Sequence, residues 1–256
     1  MLNAAIIGCG RIAAGIGDWP RTPYIYTHAE AYLALKDRVQ LRWMLDKQGA
    51  IGLMAYEKFK DHGVGAIGGG DWRIDLRQAM LSAPAEIVSV CVPPAAQVEV
   101  VAELAKYPCI KGAWIEKPFM LKEWPKHWKI NVNYIRRADA LHRELEPSPF
   151  KTLLRVKAKK DIHTVCHFTD LARFWHLGKH RFEYTEFDGP CSYELELNFI
   201  VTTKLRVFND GGVTGGFMEA MLGNLLDAVE GKAELWSPPD NAVESEKWAK
   251  EILESK

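Results

Sequence analysis

The sequence lacks an excess of either charge, a long apolar run and paired cysteines. Its 256 residues include 33 Lys and Arg and 33 Asp and Glu, so the formal net charge is zero. Proteins that bind nucleic acid need a basic surface to neutralise phosphates, so no nucleic-acid partner is expected. No stretch approaches the roughly 18 apolar residues of a transmembrane helix, so no membrane partner is expected either.

The five cysteines are an odd number and include no Cys-x-x-Cys pair. This pattern argues against a disulfide framework and against a thiolate zinc site. The N-terminal stretch before Gly8 has no basic residue and is too short for a signal peptide. These absences predict a cytoplasmic protein with reduced thiols.

Strand and helix signals alternate over the first half of the chain. Short apolar runs predict strands at 3–8, 39–45, 86–92 and 110–115, and the stretches between them predict helices at 28–36, 49–61, 72–82 and 95–107. Continuous apolar strands that alternate with helices are typical of a doubly wound parallel sheet. We therefore predict an α/β domain of the Rossmann type over residues 1–118.

After Pro118 the pattern changes to that of a C-terminal α+β domain over residues 119–256. Strands are predicted at 128–134, 150–158, 180–187, 191–200 and 202–208, and helices at 121–126, 136–146, 162–177 and 215–230. Consecutive strands separated by turn signals are typical of hairpins. The second sheet is therefore predicted to be mainly antiparallel.

A glycine-rich turn directly follows the first predicted strand. Residues 8–13 read Gly-Cys-Gly-Arg-Ile-Ala and fit Gly-x-Gly-x-x-Ala. In dinucleotide-binding folds the first glycine permits a tight turn, the second lets the backbone approach a pyrophosphate, and a small third residue lets the helix pack on the strand. The turn predicts a cofactor contact by Gly8, Gly10, Arg11, Ile12 and Ala13; the alternative is a purely structural turn.

Asp46 ends the second predicted strand, where a carboxylate can accept the adenosine ribose hydroxyls. It lies further from the glycines than the usual roughly 20 residues, and a loop inserted at 17–23 explains the distance. Its negative charge repels a 2′-phosphate, so NAD is the predicted cofactor. NADP stays the alternative, because Lys47 is adjacent.

Glu116, Lys117 and Pro118 follow the last strand of the first half. In doubly wound folds the ligand binds at this carboxyl edge of the sheet. A lysine held beside a nicotinamide could bind a substrate hydroxyl and stabilise the alkoxide that develops there. The alternative is an ordinary surface turn.

Taken together, these motifs resemble those of the glucose–fructose oxidoreductase/inositol dehydrogenase (Gfo/Idh/MocA) family. In chain order they are Gly-Cys-Gly-Arg-Ile-Ala at 8–13, Thr-His-Ala-x-Ala-Tyr at 27–32, Val-x-Val-x-Val-Pro at 88–93 and Glu-Lys-Pro at 116–118. Looser matches follow at 133–137 (Asn-Tyr-Ile-Arg-Arg) and at 167–171 (His-Phe-Thr-Asp-Leu). The resemblance implies a nicotinamide-dependent oxidoreductase that acts on a sugar or polyol hydroxyl.

The resemblance also implies which residues carry the chemistry. Lys117 matches the family's catalytic lysine and His167 its proton-transferring histidine. His163 stands where the family often has an aspartate; two imidazoles one helical turn apart can still relay a proton, but they cannot supply the negative charge. His163, His167 and Asp170 share one helix face, which could instead hold a metal or be merely structural. We expect no metal.

Further cofactor and substrate contacts follow from the same resemblance. Cys91, Pro93 and Glu116 are expected to contact the dinucleotide. Asn133 and Arg136 are expected to bind substrate oxygens, together with Lys117, His163, His167 and Asp170. Because Arg136 suits a carboxylate or a diphosphate, and because 22–28 resembles family members of surface-polysaccharide pathways, a nucleotide-linked or acidic sugar is the expected substrate.

Two features qualify this interpretation. The chain is shorter than most family members after Pro118, and the family associates through its C-terminal sheet, so a homodimer or homotetramer is expected. The shortening and His163 favour an alternative, a binding protein that senses a dinucleotide or sugar without catalysis. A flavin or metal enzyme that merely shares the glycine turn is a third possibility.

Overall fold

The computed structural model describes residues 1–17, 25–134, 137, 152–158, 160–174, 176–177, 179, 182–186, 192–197 and 217–255. The chain divides into two compact units, one of residues 1–133 with 215–238 and one of residues 134–214 with 239–256. No helix of the described part is both long and apolar enough to cross a membrane.

The elements alternate through most of the chain. The described strands are β1 (Leu2–Ile7), β2 (Val39–Asp46), β3 (Gly65–Gly68), β4 (Ile87–Val90), β5 (Gly112–Ile115), β6 (Lys129–Val132), β7 (Thr152–Ala158), β8 (Phe182–Glu186) and β9 (Ser192–Leu197). The described helices are α1 (Arg11–Ala14), α2 (His28–Ala34), α3 (Gly49–Phe59), α4 (Trp72–Ser82), α5 (Pro94–Leu104), α6 (Ile162–Phe174), α7 (Phe217–Val229) and α8 (Pro239–Glu254). A short 3₁₀ turn, Lys60–His62, follows α3.

The first unit is built on a six-stranded parallel sheet in the order β3-β2-β1-β4-β5-β6. This is the Rossmann order, in which the chain crosses back over the sheet between β3 and β4. Strands β4 and β5 are buried at every residue, as continuous apolar runs covered on both faces require. The predicted doubly wound α/β fold is confirmed.

The first unit extends beyond the boundary expected at residue 118. The strand predicted at 128–134 is β6, and it pairs in parallel with β5 instead of joining the second sheet. Helix α7 also packs on β5 and β6. The helix predicted at 121–126 is absent from this described stretch, which is irregular. Pro118 precedes this stretch and Pro125 lies within it, and the lack of a backbone N–H in proline explains why no helix forms there.

The second unit has an α+β arrangement, as predicted. Its described strands lie in the order β8-β7-β9, with β7 and β8 parallel and β7 and β9 antiparallel. Helices α6 and α8 pack against each other. The strand predicted at 202–208, and the helix predicted at 136–146 apart from residue 137, lie outside the described residues.

Candidate functional site

The glycine turn lies at the carboxyl end of β1 and is closed by its neighbours. Gly8 has a φ of +88°, a value that side chains rarely adopt. Its N–H donates to the Leu45 carbonyl at 2.7 Å. A Cβ at Gly8 would lie 2.7 Å from the carbonyl oxygen of Cys91. Both the backbone angle and the close approach therefore require glycine at this position.

Gly10 serves a different purpose in the same turn. Its φ of −67° is open to any residue, and a Cβ there would meet no atom within 4 Å. The space beside Gly10 is therefore open, as the approach of a pyrophosphate to the backbone requires. Helix α1 has only four residues and is capped by Gly15, so a dinucleotide would depend on the turn itself more than on a helix dipole.

Asp46 at the end of β2 ties the glycine turn to the second strand. Its Oδ2 accepts the Cys9 N–H at 2.8 Å and its Oδ1 accepts the Gln48 N–H at 2.8 Å. A carboxylate has about four lone-pair positions, so Asp46 can accept ribose hydroxyls and keep both bonds. Burial, with the nearby Asp46 charge, raises the pKa of the Cys9 thiol to about 12. The thiol beneath the turn is therefore neutral at pH 7.

The other predicted cofactor residues gather around the same turn and the end of β4. Arg11 is exposed, Ile12 is half-buried and Ala13 is buried. Cys91 follows β4, where burial raises the pKa of its thiol well above the usual value, with further contributions from Glu116 and Cys9. Pro93, at the start of α5, is exposed. One edge of the sheet thus carries the whole set.

Glu116 and Lys117 follow β5 at this edge, and their main chain is fixed on both sides. The Glu116 N–H donates to the Val90 carbonyl at 3.0 Å, and the Glu116 carbonyl accepts the Gln97 amide at 2.8 Å. A cis peptide joins Lys117 to Pro118. Lys117 itself is half-buried.

The Glu116 side chain lies in a buried polar group that we call the Glu116 cluster. Its members are His28, Tyr32, Ser89, Glu116 and Asn133. Glu116 Oε1 lies 2.9 Å from His28 Nε2 and also accepts the Asn133 amide. His28 Nδ1 lies 3.0 Å from Ser89 Oγ, which lies 2.9 Å from Tyr32 Oη. Burial raises the pKa of the Tyr32 phenol, so this hydroxyl is neutral at pH 7.

Asn133 is placed differently from the expected substrate contact. It is buried, and Trp114 Nε1 donates to its Oδ1 at 3.2 Å. Its Nδ2 donates to Glu116 and lies 3.7 Å from the Met218 sulfur. Because both ends of the amide are engaged within the first unit, Asn133 holds Glu116 in this structure.

His167 in α6 is the candidate proton-transferring residue of the second unit. Its ring meets the edge of the Tyr134 ring, with centroids 5.7 Å apart and planes at 87°. The Tyr134 hydroxyl donates to Glu246 Oε1 at 2.8 Å, and burial raises the pKa of Tyr134 well above its usual value. His163 lies on the same helix. Arg136 lies outside the described residues.

Asp170 is also placed differently from the expected substrate contact. It is fully buried, and Arg137 donates to its two carboxylate oxygens at 2.5 and 2.8 Å. The Ser245 hydroxyl lies 3.2 Å from Oδ1. Burial raises the pKa of Asp170, against the opposing effect of Arg137 and Ser245. The carboxylate therefore fixes α6 in this structure. No group of three or more His, Cys, Asp or Glu side chains in the described part could hold a metal.

Sequence reasoning missed the residues that hold these candidates in place. In the first unit they are Ser89 and Gln97, and in the second Ser245 and Glu246, which lie on the unpredicted helix α8. A signal for α8 existed, because Pro239 followed by Asp240 is a typical helix start. No local signal distinguishes Ser89 from any other strand residue.

Comparisons with known proteins give structural neighbours only. No protein-family model and no curated protein sequence matches the chain. A probable dehydrogenase from Thermotoga maritima matches with a TM-score of 0.69 at 15% identity, over 99% of this chain and 97% of the other. UDP-N-acetylglucosamine 3-dehydrogenase GnnA from Acidithiobacillus ferrooxidans matches with a TM-score of 0.69 at 13% identity, over 99% and 97%.

A third neighbour was crystallised with ligands. The WlbA dehydrogenase from Bordetella pertussis, in complex with NADH and UDP-GlcNAcA, matches with a TM-score of 0.66 at 12% identity, over 95% of this chain and 93% of the other. Likeness at such low identity concerns the fold alone. The chain has the fold of these dehydrogenases.

Proposed function

We propose that the protein is an NAD-dependent oxidoreductase of the Gfo/Idh/MocA type, which transfers a hydride between nicotinamide and a carbon of a sugar or sugar derivative. One observation carries the proposal. The glycine turn and Lys117 follow β1 and β5, and Asp46 ends β2, all in a single Rossmann sheet and at the carboxyl edge where such sheets bind dinucleotides. The similar folds of sugar and UDP-sugar dehydrogenases support it.

The residues of this edge fit a dinucleotide. The open space at Gly10 would admit the pyrophosphate, and Asp46 would accept the adenosine ribose hydroxyls. The negative charge of Asp46 disfavours a 2′-phosphate, so NAD is preferred over NADP. The remaining proposed contacts are Gly8, Arg11, Ile12, Ala13, Cys91, Pro93 and Glu116. When bound, the nicotinamide ring gives or accepts the hydride.

The chain's own residues would handle the proton and the substrate oxygen. The Lys117 ammonium donates a hydrogen bond to that oxygen and stabilises the negative charge that develops as its proton leaves. We assign proton transfer to His167, with His163 as its relay partner. Arg136 would bind an anionic group, which favours a nucleotide-linked or acidic sugar. Asn133 and Asp170, enclosed by their partners, would act by positioning.

Cofactor titration tests the proposal first. The nine tryptophans can transfer excitation to bound NADH or NADPH. We expect saturable transfer with NADH, weaker transfer with NADPH, and a smaller difference between the two in Asp46→Ala. Gly10→Ala should weaken NADH binding at least about tenfold, which is about 1.4 kcal/mol, because its methyl group fills the open space without disturbing the fold.

Gly223→Ala is the matched control for Gly10→Ala. Its added methyl group also meets no atom within 4 Å, but it lies in α7, away from the glycine turn, so NADH binding should not change. Absence of transfer with either cofactor, confirmed by calorimetry, would overturn the proposal. A wild-type protein that binds NADH but reduces no keto-sugar would favour the sensing alternative, which the enclosure of Asn133 and Asp170 also favours.

A further inference from the structure

We propose that His28 is a positioning residue for Lys117, which it fixes by holding the Glu116 carboxylate. This inference rests on the proposed function, because Lys117 matters only where a substrate oxygen is to be bound. His28 is the most deeply buried histidine of the described part, and the proposed chemistry assigns it no role.

The position of His28 in the first unit is fixed by burial, by a ring contact and by the cap of its helix. It has no exposed surface, and its ring lies against the Trp114 ring, with centroids 3.8 Å apart. Thr27 caps the helix start: its hydroxyl accepts the Glu30 N–H, while Glu30 accepts the Thr27 N–H. In this position both ring nitrogens lie within hydrogen-bond distance of polar atoms.

The geometry of the cluster allows all its hydrogen bonds to run in one direction toward Glu116. Tyr32 can donate to Ser89, Ser89 to His28 Nδ1, and His28 Nε2–H to the Glu116 carboxylate. In this arrangement every donor in the hydrogen-bond series has an acceptor. The end of the series away from Glu116 has no access to solvent, since Tyr32 and Ser89 are at most 1% exposed. A hydrogen-bond series without access to solvent at that end cannot deliver protons, so its role is to hold the carboxylate.

The consequence for Lys117 follows from covalent attachment. Glu116 is fixed at its N–H by Val90, at its carbonyl by Gln97 and at its carboxylate by His28 and Asn133. Gln97 also accepts the Met120 N–H at 3.0 Å, which fixes the chain on the far side of Lys117. Removing His28 leaves a buried carboxylate short of a donor, and it must turn toward another.

Two substitutions of His28 separate positioning from packing. The amide nitrogen of glutamine reaches the place of Nε2, whereas that of asparagine reaches only the place of Nδ1. His28→Gln should therefore keep the donor to Glu116, and His28→Asn should lose it. We expect kcat to fall about 100-fold in His28→Asn, as displacement of a catalytic group by about 1 Å does, with a small change in substrate KM and with recovery to within about fivefold of wild type in His28→Gln.

Trp43→Phe is the control for loss of a buried hydrogen bond. Trp43 lies in β2 of the same sheet, and its Nε1 donates to the Ala83 carbonyl at the end of α4 at 2.8 Å. Because this bond is away from β5, the variant should be less stable with unchanged kcat. Equal losses of kcat in both His28 variants, or no loss in either, would overturn the inference.

A readout without turnover keeps the two proposals apart. Acetylation of Lys117 by acetic anhydride, followed by mass spectrometry and compared with exposed Lys36, reports how Lys117 is placed in the cofactor-free protein. We expect the ratio to change at least about threefold in His28→Asn and to match wild type in His28→Gln. If the wild type reduces no carbonyl substrate but this pattern appears, the proposed function fails and the positioning stands. An unchanged ratio in His28→Asn overturns the positioning.

Discussion

The two units hold their candidate residues by different physical means. In the first, Lys117 follows a carboxylate whose described partners are an imidazole and an amide of the Glu116 cluster. In the second, the helix that carries His167 is held by a buried ion pair between Arg137 and Asp170. Both arrangements are enclosed. They differ in whether a single substitution leaves an unpaired hydrogen-bonding group or an unpaired charge buried in the protein.

This difference predicts how single substitutions affect the stability and the activity of each unit. Removing the Asn133 amide from the Glu116 cluster leaves unpaired hydrogen-bonding groups. Removing one member of the ion pair leaves an uncompensated charge in a medium of low polarity, which is the more costly result. The second unit should therefore be the more sensitive to single substitutions of its buried polar residues, and the first unit more sensitive in its chemistry than in its stability.

The largest expected effect is on the ion pair. Asp170→Ala should lower the free energy of unfolding of the second unit by about 3–5 kcal/mol, because the Arg137 charge stays buried without its partner. Urea unfolding followed by circular dichroism measures this. The control is Glu183→Ala, which breaks the exposed pair with Arg155 and should cost no more than about 1 kcal/mol. Equal losses of unfolding free energy in the two variants would contradict the large cost expected for the buried ion pair.

A smaller loss is expected in the first unit. Asn133→Ala removes one donor to Glu116 and the acceptor of Trp114 Nε1, and it should cost about 1–3 kcal/mol. The same urea experiment measures it. Should Asn133→Ala prove as costly as Asp170→Ala, the buried groups of the two units would be equivalent in kind. Gln40→Ala, at an exposed position of β2, provides the baseline.

The smallest effect at moderate pH concerns the thiol beneath the glycine turn. Because the folded-state pKa of Cys9 is raised to about 12 from an ordinary 9.0, the unfolded chain loses this proton first. The contribution of Cys9 is therefore fully present below pH 9 and is lost as pH rises toward 12. Wild type should lose about 1 kcal/mol more stability than Cys9→Ala between pH 8 and pH 10. Parallel stabilities over that range would contradict the raised pKa.

Much of the fold could be predicted from local pattern. Continuous apolar runs marked β1, β2, β4 and β5, and the helix predicted at 28–36 is α2. Strand β3, Gly65–Gly68, gave no signal because four residues with glycine at both ends show no periodicity. The strand at 128–134 was recognised, but its partner was not, since pairing with β5 is a long-range property that the segment itself does not encode.

The residues of the candidate site also divide into those that a local motif predicts and those that depend on long-range contacts. The glycine turn and Asp46 could be found because their chemistry depends on a local motif and a strand end. The supports of Glu116 could not, since Gln97 bonds its carbonyl and Ser89 bonds His28 only after the sheet has formed. Asp170 was assigned to the substrate from the family resemblance and from the helix face that it shares with His163 and His167. Its burial depends on Arg137 and on Ser245 of α8, 75 residues further along the chain.

The return of α7 to the first unit has a consequence for biosynthesis. This helix covers β5 and β6, and so close is the contact that a Cβ at Gly112 would lie 2.8 Å from the Val229 side chain. Asn131 of β6 also bonds Ser237. Although domains generally fold in order of their emergence from the ribosome, the parallel sheet lacks its cover by α7 and its bond to Ser237 until residue 238 has been made. Most of the second unit therefore emerges before the first can finish folding, and no single cut in the chain yields the first unit whole.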